Sequence, residues 1–372
     1  MNPRYKKIYC CTPVAFAANE HFFIRDTGLI SRTLQSMGIE SKCIMPLPYH
    51  DSDQREGIIR TEYKNLRSVS WWKSLGIDAV ILYSWGAPRY TLIARAIHKA
   101  GIKQVIHLDT SGNFNGEDWD ELPWYKKIAR FIRANLSDII RAKHLSYADS
   151  ITCSTAALQA IANRLMFNKR LLNKHFPMAS PVESCCLYDG RPKKDIILCI
   201  GRWDDERQKR ASFLMKTLEY FYTNDNATET HIIGKLTDKI MEWHKALPAE
   251  MAKKIKLIGF IPHSKLIEEY QSAKIVLCSS RYEGSHISSS EGLCCGCSIV
   301  TTNRPKSLST VHWYTERLSG RIAISDTPID LAKAVGEELG AWKEGKRNAE
   351  DIAKAWQPYF HADKVLNQIF SH

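Results

Sequence analysis

Along the chain, short runs rich in β-branched and aromatic residues alternate with longer stretches whose apolar positions recur at helical spacing. That pattern predicts βα units built on parallel sheets. In the first half the strand runs are Lys7–Cys11, Ser41–Met45, Ala79–Tyr83, Lys103–Leu108 and Ser150–Cys153, with helices over Thr27–Met37, Arg89–Ala100 and Thr155–Leu165. The stretch Phe176–Lys194 holds Pro177, Pro181, Gly190 and Pro192 with little periodicity and reads as a linker. A second series follows, with strands Ile196–Ile200, His231–Ile233, Ile255–Ile258, Ile275–Cys278 and Ile299–Thr301. Its helices are Phe213–Tyr222, Asp238–Ala246, Ser264–Ser272 and Ser288–Cys295. The chain closes with helical patterns over Asp351–Phe360 and Ala362–Phe370.

This order predicts an α/β protein of two doubly wound, Rossmann-like sheets of similar size, with ligand at the carboxyl ends of the strands. The expected division is 1–181 for the first domain, 182–347 for the second, and 348–372 for helices returning to the first. A length of 372 residues suits two or three domains. Composition is ordinary for a globular chain, which excludes low-complexity and collagen-like classes. Lys and Arg number 52 against 40 Asp and Glu, a net +12 that favours anionic partners: phosphates, anionic lipid or nucleic acid. No apolar run is long enough to span a bilayer. The N-terminal run resembles a signal peptide, but Thr12 and Pro13 interrupt it and a buried first strand accounts for it equally well. Eleven cysteines argue for reduced thiols and a cytoplasmic setting.

The densest chemistry is Ser280-Arg281-Tyr282-Glu283-Gly284-Ser285-His286-Ile287-Ser288-Ser289-Ser290-Glu291-Gly292, between a strand and a helix. A Gly- and Ser-rich approach to a helix N-terminus is a phosphate site, because unpaired N–H groups and the helix dipole meet there. Glu291, about one turn in, can accept two hydroxyl hydrogen bonds from a diol. Upstream, Gly201-Arg202 closes a strand and Lys209 follows before the next helix. An Arg fork and a mobile Lys charge on one loop suit a departing diphosphate.

Gly201-Arg202 with Gln208-Lys209, then Ile258-Gly259-Phe260-Ile261-Pro262, Glu283 and Glu291 with seven residues between them, and Gly296-Cys297-Ser298-Ile299-Val300 together resemble the retaining glycosyltransferases of family 4. The resemblance covers the second half and implies a GT-B fold, two facing Rossmann-like domains with a cleft between them. It implies that Arg202 and Lys209 hold the donor diphosphate, Glu283 lies near the donor sugar, Glu291 holds the ribose, and the backbone near Ile261 borders the base. Gly201, Gly284, Ser285, His286 and Ile287 complete the donor set. In the first half the family's Gly-rich loop is replaced by Thr12–Glu20, leaving Gly28 as the nearest glycine for close approach to the donor. A cleft residue is expected after the strand Lys103–Leu108, where His107 and Asp109 both stand. The family's usual mechanism is front-face attack without metal, so the resemblance implies no cofactor beyond the nucleotide sugar.

Other features carry less. Cys294-Cys295-Gly296-Cys297 contains a Cys-x-x-Cys spacing without a second pair, and packing explains it better than metal. Asp118-Trp119-Asp120 imitates a metal-binding motif but follows a polar loop rather than an apolar strand. Trp124–Tyr147 mixes Lys126, Lys127, Arg130, Arg133, Arg141 and Lys143 with Ile128, Phe131, Ile132, Leu136, Ile139 and Ile140. Its apolar side either packs on the first sheet or lies on an anionic membrane.

The expectation is a retaining, metal-independent hexosyltransferase using a nucleotide-diphosphate sugar, UDP- rather than GDP-. Its acceptor would be a saccharide or lipid-linked glycan, at the inner face of the cytoplasmic membrane. The alternatives are a catalytically silent sugar-nucleotide binder, and a nucleic-acid-binding protein resting on charge alone with no recognition motif.

Overall fold

The computed structural model describes residues 5–49, 57–108, 122–153, 168–177, 181–224, 227–304, 309, 311–315 and 319–371. They fall into two compact units, Met1–Glu183 with Tyr359–His372, and Ser184–Pro358.

The first unit is built on a parallel sheet of seven strands: β1 (Ile8–Cys11), β2 (Cys43–Pro46), β3 (Ile58–Thr61), β4 (Ala79–Tyr83), β5 (Lys103–Leu108), β6 (Ser150–Cys153) and β7 (His175–Pro177). Their order across the sheet is β3-β2-β1-β4-β5-β6-β7, so the winding reverses between β1 and β4. The register Cys10↔Ile81 and Cys11↔Leu82 fixes that central pair. Alternate residues of β4 enter two different cores. Val80 and Leu82 pack with Trp72, Ile93 and Ile97, whereas Ala79, Ile81 and Tyr83 pack with Ile30, Leu34 and Leu366. A strand buried on both faces must be apolar throughout, which is why β1 and β4 read as continuous hydrophobic runs. The helix Ala362–Ile369 belongs to the second of these cores, and Phe370 closes it edge-on against Tyr5 at 5.3 Å.

The second unit holds six parallel strands: β8 (Lys194–Arg202), β9 (Glu229–Lys235), β10 (Ile255–Gly259), β11 (Ala273–Cys278), β12 (Ser298–Thr301) and β13 (Gly320–Ile322). Their order is β10-β9-β8-β11-β12-β13, reversing between β8 and β11. One face packs on the helices Ala211–Tyr222 and Pro328–Lys343 through Ile197, Cys199, Ile275 and Val300. On the other face a Cβ at Gly292 would meet Val276 Cγ2 at 2.6 Å, so that glycine lets the helix Ile287–Cys294 lie directly on β11.

Three strands, β3, β7 and β13, fall outside the sequence reading, and the helix expected over Thr155–Leu165 lies outside the described residues. The helix Trp124–Ser146 forms where expected, but its faces are reversed from those of an ordinary surface helix. Its buried residues are Asn135, Asp138, Arg141, His144 and Leu145. Asp138 and Arg141 form a fully buried ion pair, the Arg141 Nε donates to Gly86 O at 3.0 Å, and His144 Nε2 lies 2.8 Å from Ser84 Oγ. Buried polar groups are tolerated because they are hydrogen-bonded to one another and to the turn after β4. Trp124, Tyr125, Ile128, Phe131, Ile132, Leu136, Ile139 and Ile140 are all exposed. The apolar side therefore does not pack on the first sheet.

Candidate active site

The site in the second unit grows from the carboxyl ends of β8 and β11, the two strands at the winding reversal, where ligands of such sheets bind. Gly201 and Gly234 face each other across β8 and β9 so closely that a Cβ on Gly234, at φ 110°, would lie 2.1 Å from Gly201 O. Beyond Arg202 the chain makes a turn closed by Gln208 N to Asp205 Oδ1 at 3.1 Å and Lys209 N to Asp205 O at 2.7 Å. The residues after β11 then grip that turn: Arg281 N donates to Gln208 O at 2.8 Å, and Ser279 Oγ donates to Lys209 O at 3.0 Å. Arg210, left-handed at φ 55°, starts the next helix. Its guanidinium is anchored on Asp326 at 2.8 and 3.0 Å and on Ser279 O at 2.7 Å.

These bonds bring Lys209 to Glu283 across 74 residues of sequence, Nζ to Oε1 at 2.5 Å, with both side chains nearly buried. Gln208 Nε2 lies 3.3 Å from the other carboxylate oxygen. Burial pushes the Glu283 carboxyl upward, but Lys209, His286 and Ser280 outweigh it and hold it below its ordinary value, so Glu283 is an anion. Arg202 remains 69% exposed, within 3.4 Å of Asp205 and Gln208, a loosely held cation at the rim. Gly284 and Ser285 lead to His286, the N-cap of the helix beginning at Ile287, whose Nδ1 lies 2.6 Å from Ser289 Oγ. Burial raises the Cys278 thiol, yet His286 and Lys209 bring it below its usual value, so this corner is electropositive.

A second cluster sits farther along the same helix. Glu291 accepts from His263 Nε2 at 2.7 Å and from the Tyr270 hydroxyl at 2.9 Å. Burial lowers the His263 pKa, but its bond to Glu291 more than compensates, and the net direction is upward. His263 opens the helix that follows the Gly259-Phe260-Ile261-Pro262 turn, so this bond ties the half-buried Ile261 segment to Glu291. Gln208, Arg210, His263 and Tyr270 were given no role from sequence. A histidine directly after Pro262 was the one available signal, whereas the left-handed Arg210 leaves none.

The remaining candidates belong to the first unit. His107, on β5, is buried against the Tyr83 ring at 4.4 Å and lies 3.2 Å from Thr152 Oγ1. Asp109 lies outside the described residues. Gly28 is a glycine because a Cβ there would meet Phe22 O at 2.2 Å, a packing requirement within its own unit. Among the described residues, two trios place ligand atoms within 4.8 Å of one another and could offer a metal donors: Cys186, His263 and Glu291, and Cys278, Glu283 and His286. Cys294, Cys295 and Cys297 are buried, with Cys297 Sγ against the Tyr270 and Ala273 carbonyls.

Two Rossmann-like units, each with its winding reversal, define the GT-B fold. Residues 194–339 match the family described as Glycosyl transferases group 1. None of the curated proteins matches the chain by sequence. Among solved structures, the lipopolysaccharide outer core galactosyltransferase WaaB in its apo form is similar at TM-score 0.62 and 16% identity, over 98% of this chain and 99% of that one. HepE of Anabaena in complex with UDP is similar at TM-score 0.65 and 12% identity, over 98% of each chain. WaaG, a glycosyltransferase involved in lipopolysaccharide biosynthesis, is similar at TM-score 0.58 and 13% identity, over 98% of this chain and all of that one.

Proposed function

We propose that the chain is a retaining glycosyltransferase that moves a hexosyl unit from a UDP-sugar, in preference to a GDP-sugar, to a saccharide or lipid-linked acceptor in cell-surface glycan biosynthesis. The observation that carries this reading is the buried Lys209–Glu283 pair, with Arg202 on the same loop, at the winding reversal of the segment matching group 1 glycosyl transferases. The UDP in the HepE structure supports the choice of base. Lys209 and Arg202 bind the diphosphate together with backbone N–H groups over Gly284–Ile287. Glu291 takes ribose hydroxyls on lone pairs left over from His263 and Tyr270, since a carboxylate offers about four. The backbone at Ile261 borders the base, and Gly201 lets the strand end approach the donor. Glu283 stays ionised beside the sugar, while His107 and Asp109 serve the acceptor side.

In the transfer, the acceptor oxygen bonds to the anomeric carbon on the face from which the diphosphate departs. The leaving phosphate oxygen takes the acceptor's proton. Negative charge grows on the diphosphate, met by the fixed Lys209 ammonium and the mobile Arg202 guanidinium, and preorganised charge like that of Lys209 is worth about 3–4 kcal/mol at a barrier. No metal enters this scheme.

The test is thermal-shift binding in chelator against UDP, GDP, CDP and their sugar conjugates, with Arg202→Ala and Glu291→Gln beside the parent. A ligand at 100 times its Kd adds about 2.7 kcal/mol. Selective stabilisation by UDP, weakened in both variants, supports the donor site. Absence of any nucleotide shift in a folded protein refutes it.

A further inference from the structure

The helix Trp124–Ser146 presents to solvent the side that an ordinary surface helix buries, and buries the side that it exposes. On an ideal wheel its exposed apolar residues fall within an arc of about 180°. Eight residues of the 23-residue helix are thus large, apolar and exposed on one side, from Trp124, 74% exposed, to Ile140, 57% exposed. An uncovered apolar stripe of this length marks an interaction surface. Its inward side carries the Asp138–Arg141 pair and the bonds to Ser84 and Gly86, so rotating the stripe inward would break both of those bonds and expose the pair.

Charge decides what the stripe meets. The one acid of the helix, Asp138, is buried on Arg141, so the remaining cations face no acid of their own helix. Lys126 and Arg133 lie along one edge of the apolar arc, Lys127 along the other, and Lys143 at the C-terminal end. Aromatic residues crowd the N-terminal end, where Trp124 and Tyr125 meet edge to face at 6.1 Å. Among the described residues no helix is long and apolar enough to cross a membrane. An apolar stripe edged by cations and ending in Trp and Tyr is the form that lies in the plane of an anionic interface.

We propose that the face of Trp124–Ser146 centred on Ile132 and Leu136 docks this protein on an anionic lipid bilayer, apolar side chains among the acyl chains and the flanking Lys and Arg on the headgroups. The proposal does not depend on the glycosyltransferase reading. Each Lys or Arg near an anionic surface strengthens binding about fivefold, and salt weakens that share.

The test is co-sedimentation with vesicles of pure phosphatidylcholine and of phosphatidylcholine mixed in equal parts with phosphatidylglycerol, at low and high salt. The parent should sediment with the anionic vesicles only. Lys126→Gln with Arg133→Gln should weaken binding about 25-fold, and Ile132→Glu with Leu136→Glu should abolish it. Both pairs change exposed side chains, and circular dichroism of each variant shows whether it is folded. Failure of the parent to bind anionic vesicles overturns the proposal, as does undiminished binding by folded Ile132→Glu, Leu136→Glu. A dimer in the parent that this double variant converts to monomer also overturns it, assigning the face to a second copy.

Discussion

Replacing Lys209 with Met would remove the ammonium 2.5 Å from Glu283 Oε1 while leaving the carboxylate, 5% exposed, where it is. What remains around that anion is Gln208 Nε2 at 3.3 Å, the Ser280 hydrogen bond and the electrostatic influence of His286, which together replace neither the Lys charge nor the lost water. Breaking a buried pair by deleting one partner costs about 3–5 kcal/mol, most of it the penalty of a stranded charge. Lys209→Met should therefore lose that much in urea unfolding at neutral pH, whatever it does to activity. Pairing it with Glu283→Gln removes the stranded charge and should recover most of the loss. The pH dependence adds a second signature. The parent's Glu283 carboxyl is held below its unfolded value, so the pair stabilises the fold above the ordinary Glu range and that stabilisation fades as pH falls through the folded value. In Lys209→Met, burial acts with its main opponent gone, the carboxyl titrates higher, and parent and variant should converge in acid. A single variant within about 0.5 kcal/mol of the parent at neutral pH would refute the reasoning. So would a double variant as unstable as the single.

Burial, reinforced by Arg141, pushes the His144 pKa down to about 4 from 6.5. The fold keeps this ring neutral, so stability is complete above pH 6.5 and declines toward pH 4, by about 3 kcal/mol. His144→Asn should flatten the melting temperature over that window, and an unchanged slope would show that the ring does not titrate with unfolding. Gly234→Ala places a Cβ 2.1 Å from Gly201 O at φ 110°, whereas Gly190→Ala, at φ 86°, meets open space. The first should cost clearly more than the second, whose penalty is the about 1 kcal/mol of strained backbone alone. Equal urea midpoints for the two would mean that β8 and β9 part easily beside Arg202.

The two sheets were legible because strands buried on both faces cannot avoid continuous apolar runs, and β1, β4, β5, β8 and β11 stand where those runs predict them. β3 was not legible: half of it is partly exposed, and its Arg60 is buried only because the guanidinium reaches the Phe16 and Pro46 carbonyls. In the candidate site, the meeting of Lys209 with Glu283 depends on cross-loop bonds such as Arg281 N to Gln208 O, which no local pattern encodes. The partners of Glu291 arrive on a helix whose own pattern speaks only of packing. Trp124–Ser146 shows the limit most plainly. Periodicity says that a helix has two faces, but which one turns inward was settled by the partners waiting at Ser84 and Gly86.

Those partners lie in the turn that leaves β4 at the winding reversal of the first sheet, where Trp85 and Gly86 both adopt left-handed backbone, at φ 51° and 66°. Trp85 packs edge-on against Phe16, which follows β1, the other strand of the reversal. The helix is thus a handle bolted to the turn by directional bonds, with Leu145 and Ala142 adding apolar contact in the core that Trp85 joins. A sliding apolar interface would absorb a push on the handle, whereas the two hydrogen bonds to Ser84 and Gly86 pass it on to the indole between them, so whatever grips the helix from outside also holds Trp85 in register.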